Sequence, residues 1–152
     1  MSIEFRKATQ SDIDTILANA RQENIDELQM FDGLDLPVAL TQSIHDSSES
    51  YVAVINGDPV CAFGVVPSST PDVGVPWMVG TSTIDQHGTA FLRGSKAVIN
   101  DLLTRWPLLR NWVDTRNVRG LRWLRFMGFT IHPAQPVGPK GMLFHLFEKG
   151  SI

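Results

Sequence analysis

Between Pro76 and Phe129 the sequence runs PWMVGTSTIDQHGTAFLRGSKAVINDLLTRWPLLRNWVDTRNVRGLRWLRFMGF, and its apolar periodicity alternates between strand and helix. Trp77-Met78-Val79-Gly80 is a short apolar run ending in glycine, as a central strand that bulges or splays does. A loop through Asp85-Gln86-His87-Gly88 follows. Phe91/Leu92, Ser95, Val98/Ile99, Leu102/Leu103 and Trp106 then recur at helical spacing, and Pro107 stops that helix. Leu108–Asp114 reads as a strand with Leu109, Asn111 and Val113 on one side. Asn117 is placed to cap a second helix, with Gly120, Trp123, Leu124 and Met127 inward and Arg119, Arg122 and Arg125 outward. Gly128 suits its C-terminus. Strand, helix, strand, helix in this order predicts a crossover that builds a ligand site.

The remainder reads as scaffold for that crossover. Ile3 to Lys7 alternates like a strand, and Thr9 with Asp12 three residues later resembles a capping box. Ile13, Ile16, Leu17, Ala20 and Leu28 predict one helix reaching Met30, closed by the turn residues Phe31-Asp32-Gly33. A shorter helix is predicted from Pro37, with Val38, Leu40 and Ile44 apolar. Tyr51–Ile55, Asn56-Gly57-Asp58 and Pro59–Val66 form a hairpin signal. Val66 to Pro76 reads as a loop, as does Pro133 to Gly141; Thr130–His132 and Met142–Glu148 read as strands. No repeat or linker interrupts residues 1–152, so a single domain is expected.

Charge divides the chain. Residues 1–72 carry twelve Asp/Glu against three Lys/Arg, and residues 73–152 carry ten Lys/Arg against four Asp/Glu. Arg105, Arg110, Arg116, Arg119, Arg122 and Arg125 form a local basic run suited to phosphates, to a solvated face or to an acidic protein partner. The acidic overall pI of about 5.7 and the lack of a nucleic-acid motif argue against nucleic acid. No apolar run approaches the ~20 residues of a membrane span, and MSIEFRKATQ lacks the apolar stretch of a signal peptide, so a cytoplasmic protein is expected. Cys61, the only cysteine, excludes an intramolecular disulfide and reads as a buried, inert thiol. No histidine pair has ligand spacing with a carboxylate, so no metal is predicted.

The order β-α-α-β-β-β-α-β-α-β-β resembles the GNAT acetyltransferase fold. The closest motif is Asn117-Val-Arg-Gly120-Leu-Arg-Trp-Leu124-Arg-Phe-Met-Gly128-Phe129, similar to the family segment in which Asn opens the last helix and Gly-Phe closes it. The expectation is an α+β, three-layer domain: a mixed, mostly antiparallel twisted sheet of about seven strands flanked by about four helices. More narrowly, the runs WMVGT, FLRGS, NWVDTRN and RWLRFMGF resemble GNAT-like proteins of short-tailed phages, a family of internal-virion or head-assembly proteins. That resemblance implies a host-cell or virion location and virion proteins as partners.

The family resemblance also implies a site. Acetyl-CoA would lie between two splayed parallel strands, with the backbone of Met78, Val79, Gly80 and Thr81 on the pantetheine arm and Asn117 beside it. The pyrophosphate would sit on Arg93, Gly94, Ser95 and Lys96 at the N-terminus of the following helix. Lys96 and Val98 stand where the family carries glycine or alanine, and Leu124 stands where many members carry a tyrosine acid. His87, His132 and His145 are the candidate bases by chemistry, and His45 has no supporting context. The catalytic residues therefore stay unassigned. Two functions follow from this sequence: an N-acetyltransferase using acetyl-CoA, and a non-catalytic virion protein that keeps the fold for protein contacts.

Overall fold

A computed structural model describes residues 3–22, 24–26 and 35–150. Its centre is one eight-stranded sheet in the order β1-β2-β3-β4-β5-β8-β6, with β7 also pairing β8. The strands are β1 (Ile3–Arg6), β2 (Glu49–Ile55), β3 (Asp58–Pro67), β4 (Val73–Gly80), β5 (Leu108–Asp114), β6 (Thr130–Ile131), β7 (Gln135–Val137) and β8 (Met142–Gly150). Every pairing is antiparallel except that of β4 with β5. The expected mixed, mostly antiparallel sheet is present, with eight strands rather than about seven. The additional strand, β7, falls inside the stretch 133–141 that reads as a loop; it is captured by the free edge of β8 beside β6.

Four α-helices are described: α1 (Gln10–Ala18), α2 (Leu36–Asp46), α3 (Gly88–Leu103) and α4 (Val118–Phe126). The α1 capping box forms as its residues imply. Thr9 Oγ1 accepts from the Asp12 N–H at 3.2 Å, and the Asp12 carboxylate accepts from the Thr9 N–H at 2.9 Å. Arg6 on β1 also clamps that carboxylate, so strand and helix are tied at the start of the chain. Ile16, Leu36 and Leu40 from α1 and α2 pack with Val52, Val54, Ala62 and Val79 on one face of the sheet. On the other face, Ile99 and Leu102 of α3 and Leu121 and Leu124 of α4 pack with Leu109, Val113 and Phe147. This is the expected three-layer domain.

Two segment boundaries differ from the sequence expectation, and each difference shapes the site. The first helix ends at Ala18 rather than near Met30, because the following backbone is taken by the end of β4. Arg21 N–H donates to Gly80 O at 2.9 Å, Ser82 N–H donates to Asn19 O at 3.3 Å, and Ala20 bridges Thr81. Leu28, Met30 and the turn Phe31-Asp32-Gly33 lie outside the described residues. The stretch Val66 to Pro76, expected as a loop, holds only the turn at residues 68–72; Val73–Pro76 already belongs to β4. Pro76 is tolerated there because its nitrogen faces away from β3, where no ladder donor is needed. The hairpin at Asn56-Gly57 forms as expected, with both residues at positive φ, 51° and 83°.

Candidate functional site

The parallel seam between β4 and β5 consists of two residue pairs, Val73↔Leu108 and Gly74↔Leu109. Beyond them the strands diverge, each held by its antiparallel neighbour: β4 by β3 and β5 by β8. Asn111 stands in the crotch of this fork. Its Nδ2 donates to Pro76 O at 2.7 Å, and its Oδ1 accepts from the Trp112 N–H at 2.8 Å. One side chain thus replaces the ladder bond that the parting strands can no longer make. The sequence reading placed Asn111 only on a strand face; a buried-side asparagine in an otherwise apolar run was the available signal.

The β4 edge facing the fork can be read from the register. Thr81 N–H donates to Val60 O at 2.9 Å, so Val79 and Trp77 bond to β3 while Gly80, Met78 and Pro76 turn their backbone groups toward the opening. Pro76 O is taken by Asn111. Gly80 N–H donates to Asn24 Oδ1 at 3.0 Å, and Gly80 O accepts from Arg21. Met78 presents its N–H and C=O to the cleft. Of the expected run Met78–Thr81, then, Met78 supplies backbone groups to the cleft, while Val79 is paired and Gly80 anchors the segment after α1. Thr81 is 1% exposed, with Oγ1 donating to Val60 O at 3.0 Å.

The cleft is a cavity of about 700 Å³ that reaches from Leu36 and Leu40 of α2, past β4 and β5, to Gly88 at the start of α3 and Asn117, Arg119 and Arg122 at α4. Asn117 is 8% exposed and caps α4, its Oδ1 accepting from the Gly120 N–H at 2.9 Å. A Cβ at residue 120 would lie 2.5 Å from Asn117 Nδ2, so the glycine is what lets the cap sit there. Its charged lining residues, Arg21, Arg119 and Arg122, are all cationic, and no Asp, Glu, His, Tyr or Cys appears among the described residues of the wall.

The residues expected to hold the pyrophosphate lie within a helix. Arg93, Gly94, Ser95 and Lys96 are inside α3, at least one full turn past its start at Gly88, so their N–H groups belong to the helix. The segment between β4 and α3 is instead a 3-10 helix, Ser82–His87, where the sequence suggested a loop. Local contacts account for three of the four residues. A Cβ at Gly94 would sit 3.2 Å from Ile3 and Phe5 side-chain atoms, so this glycine brings α3 close to β1. Ser95 Oγ donates to Phe91 O at 2.7 Å, Lys96 lies 5.3 Å from the Phe126 ring centre, and Arg93 is exposed. Gly88 has the property a phosphate approach requires: it lines the cavity, and a Cβ there would meet nothing within 4 Å.

The remaining candidates are engaged away from the cleft. Leu124, at the position of the family's tyrosine acid, is 5% exposed and part of the core. His132 Nε2 lies 3.0 Å from Glu148 Oε1, and His145 Nδ1 donates to His132 O at 2.7 Å, which fixes its tautomer. Neither His132, His145 nor His87 lines the cavity. Within the basic run Arg105 binds Glu49 and Asp101, Arg110 binds Glu148 and Arg116 binds Asp114. Arg119 and Arg122 of α4 line the cleft. Cys61 is buried, and desolvation pushes its thiol up to about 12. Among the described residues no cluster of His, Cys, Asp or Glu is arranged to hold a metal ion, and no helix is long and apolar enough to cross a membrane.

No protein-family model matches the chain, and no curated protein matches it by sequence. Solved structures match it closely in fold. A ribosomal-protein-alanine N-acetyltransferase from Brucella melitensis superposes with a TM-score of 0.70 at 15% identity, over 97% of this chain and 99% of its own. A GNAT-family acetyltransferase from Streptococcus pneumoniae gives 0.61 at 16% identity, over 98% and 99%. An aminoglycoside acetyltransferase in complex with coenzyme A gives 0.68 at 16% identity, over 98% and 95%. At these identities the likeness establishes the GNAT fold.

Proposed function

We propose that this chain, built on the GNAT fold, binds coenzyme A thioesters in the fork between β4 and β5 and has the architecture of an N-acetyltransferase. The observation that carries the reading is the open β4 edge, where Met78 N–H and C=O face a large cleft beside Asn117. A pantetheine arm is a chain of amides, and an amide laid along that edge can both accept from and donate to Met78. Arg119, Arg122 and the glycine start of α3 give the phosphate end a cationic wall. An acyl-CoA, acetyl-CoA among them, is the donor such a cleft fits, its thioester supplying the activated acyl group.

Proton handling is left to the acceptor and to water. With no titratable acid or base of neutral-range pKa in the described wall, the acceptor amine has to arrive deprotonated, so any transfer rate should follow its free-amine fraction as pH rises. The same feature, with Leu124 in place of a tyrosine, favours a second reading: a protein that keeps the fold for contacts with phage virion proteins, as the WMVGT and NWVDTRN runs imply.

Calorimetry with CoA and acetyl-CoA separates the two. The expected result is binding in about the micromolar range, or ~8 kcal/mol. Met78→Pro should weaken it at least tenfold while the protein stays folded, because that substitution removes a donor β3 does not use. Arg93→Ala should leave affinity unchanged. No heat and no thermal stabilisation at millimolar ligand would overturn the cofactor reading and leave the virion reading in possession.

A further inference from the structure

Behind the fork, between the sheet and helices α3 and α4, lies a second cavity of about 90 Å³. It shares wall residues with the cleft: Pro76, Trp77, Met78, Phe91, Trp123 and Leu124 border both spaces. Met78 is also the residue whose backbone faces the cleft, so the back cavity begins where the reactive end of a bound thioester would lie.

The chemistry of its wall selects against water. Almost all the wall is apolar, including Phe5, Phe63, Val98 and Ile99. The Ser95 hydroxyl is spent on Phe91 O, and the Cys61 thiol is held protonated by burial. Far more than one water would fit by volume, since a single molecule needs roughly 10–15 Å³, but a water also needs two to four polar partners. A wall this apolar offers water few partners and favours small apolar groups. The Trp123 ring, stacked 5.7 Å from Phe91, adds a flat apolar surface to the wall.

We propose that this cavity is an acyl-chain pocket, and that the chain takes short linear acyl-CoA thioesters of about four carbons in preference to acetyl-CoA. The methylenes fill the apolar space behind Met78, against Phe91, Val98 and Ile99. This rests on the thioester-binding reading of the cleft.

The test is calorimetry on the purified chain with free CoA, acetyl-CoA, butyryl-CoA and octanoyl-CoA. Each buried methylene corresponds to roughly fourfold in affinity, so butyryl-CoA should bind about fifteenfold tighter than acetyl-CoA. Octanoyl-CoA should lose that gain, because its chain exceeds the cavity. Val98→Phe fills the space from α3 and should bring butyryl-CoA back to the acetyl-CoA affinity with free CoA unaffected. Should that variant fail to fold, the wild-type series decides by itself. Equal affinity for acetyl- and butyryl-CoA, with CoA still bound, overturns the pocket and leaves the cleft reading standing. Failure of every compound to bind overturns both.

Discussion

Asn117 and Asn111 do comparable work with different visibility. Asn117 accepts from the Gly120 N–H, and losing such a cap costs about 1 kcal/mol, so Asn117→Ala should lower stability in urea denaturation by that amount. Gly120→Ala should cost more than its helix propensity suggests, since the new methyl would lie 2.5 Å from Asn117 Nδ2 and would have to displace the cap. Asn117 was legible because capping is local: the residue, the helix and the small residue at +3 are all adjacent in sequence. Asn111 was not, because its partner is Pro76 O on another strand and no local pattern encodes that pairing. Asn111→Leu should destabilise by about 1–3 kcal/mol, measured the same way, because it leaves the Pro76 carbonyl and the Trp112 amide without their partner. Arg93–Lys96 shows how placement escapes a one-dimensional reading. An Arg-Gly pair looks like a phosphate loop in one dimension, while in three it is the contact between α3 and β1.

For the elements, β4 has two edges with different fates. Amide exchange followed residue by residue should show Trp77 and Val79 protected by β3 and Met78 exchanging much faster. Adding CoA or an acyl-CoA should slow Met78 selectively, and an unchanged Met78 rate under saturating ligand would separate binding from this edge. The succession of elements along the chain, the Asn-Gly hairpin and both late helices were readable from periodicity and turn chemistry. The failures share a cause. The end of the first helix, the start of β4 and the short strand β7 are all set by tertiary hydrogen bonds: Arg21 to Gly80, β4 to β3, β7 to β8. Local propensity is silent about such partners, and Gly74 and Pro76 pointed toward a loop.

Across the whole molecule, carboxylates held by arginines set the acid limit. Arg6 holds Asp12 below its ordinary range, and Arg105 does the same to Glu49. A depressed native pKa adds stability that is present above the unfolded value and lost as pH falls through the native one. The melting temperature should therefore fall below about pH 4, and Asp12→Asn should be less stable at neutral pH with a flatter acid limb. Glu49 belongs to the acidic first half of the chain and Arg105 to the basic second half, so part of the charge asymmetry is spent joining the halves. Cys61 gives a reporter for the complete fold. Buried and held protonated, it should react with thiol reagents only as fast as the protein opens, with no rise in rate between pH 7 and pH 9 beyond that of the reagent itself.

The two-pair seam also gives the sheet leverage. Plates β1–β4 and β5–β8 meet at Val73–Gly74 and Leu108–Leu109 and part beyond them. From Gly74 to Gly80 the strand extends roughly 20 Å at about 3.3 Å per residue. One degree of rotation about the seam therefore moves Gly80 by roughly 0.35 Å relative to β5, on that same rise per residue. The aperture of the cleft is thus set by an angle at its narrow end, where Asn111 spans the two plates.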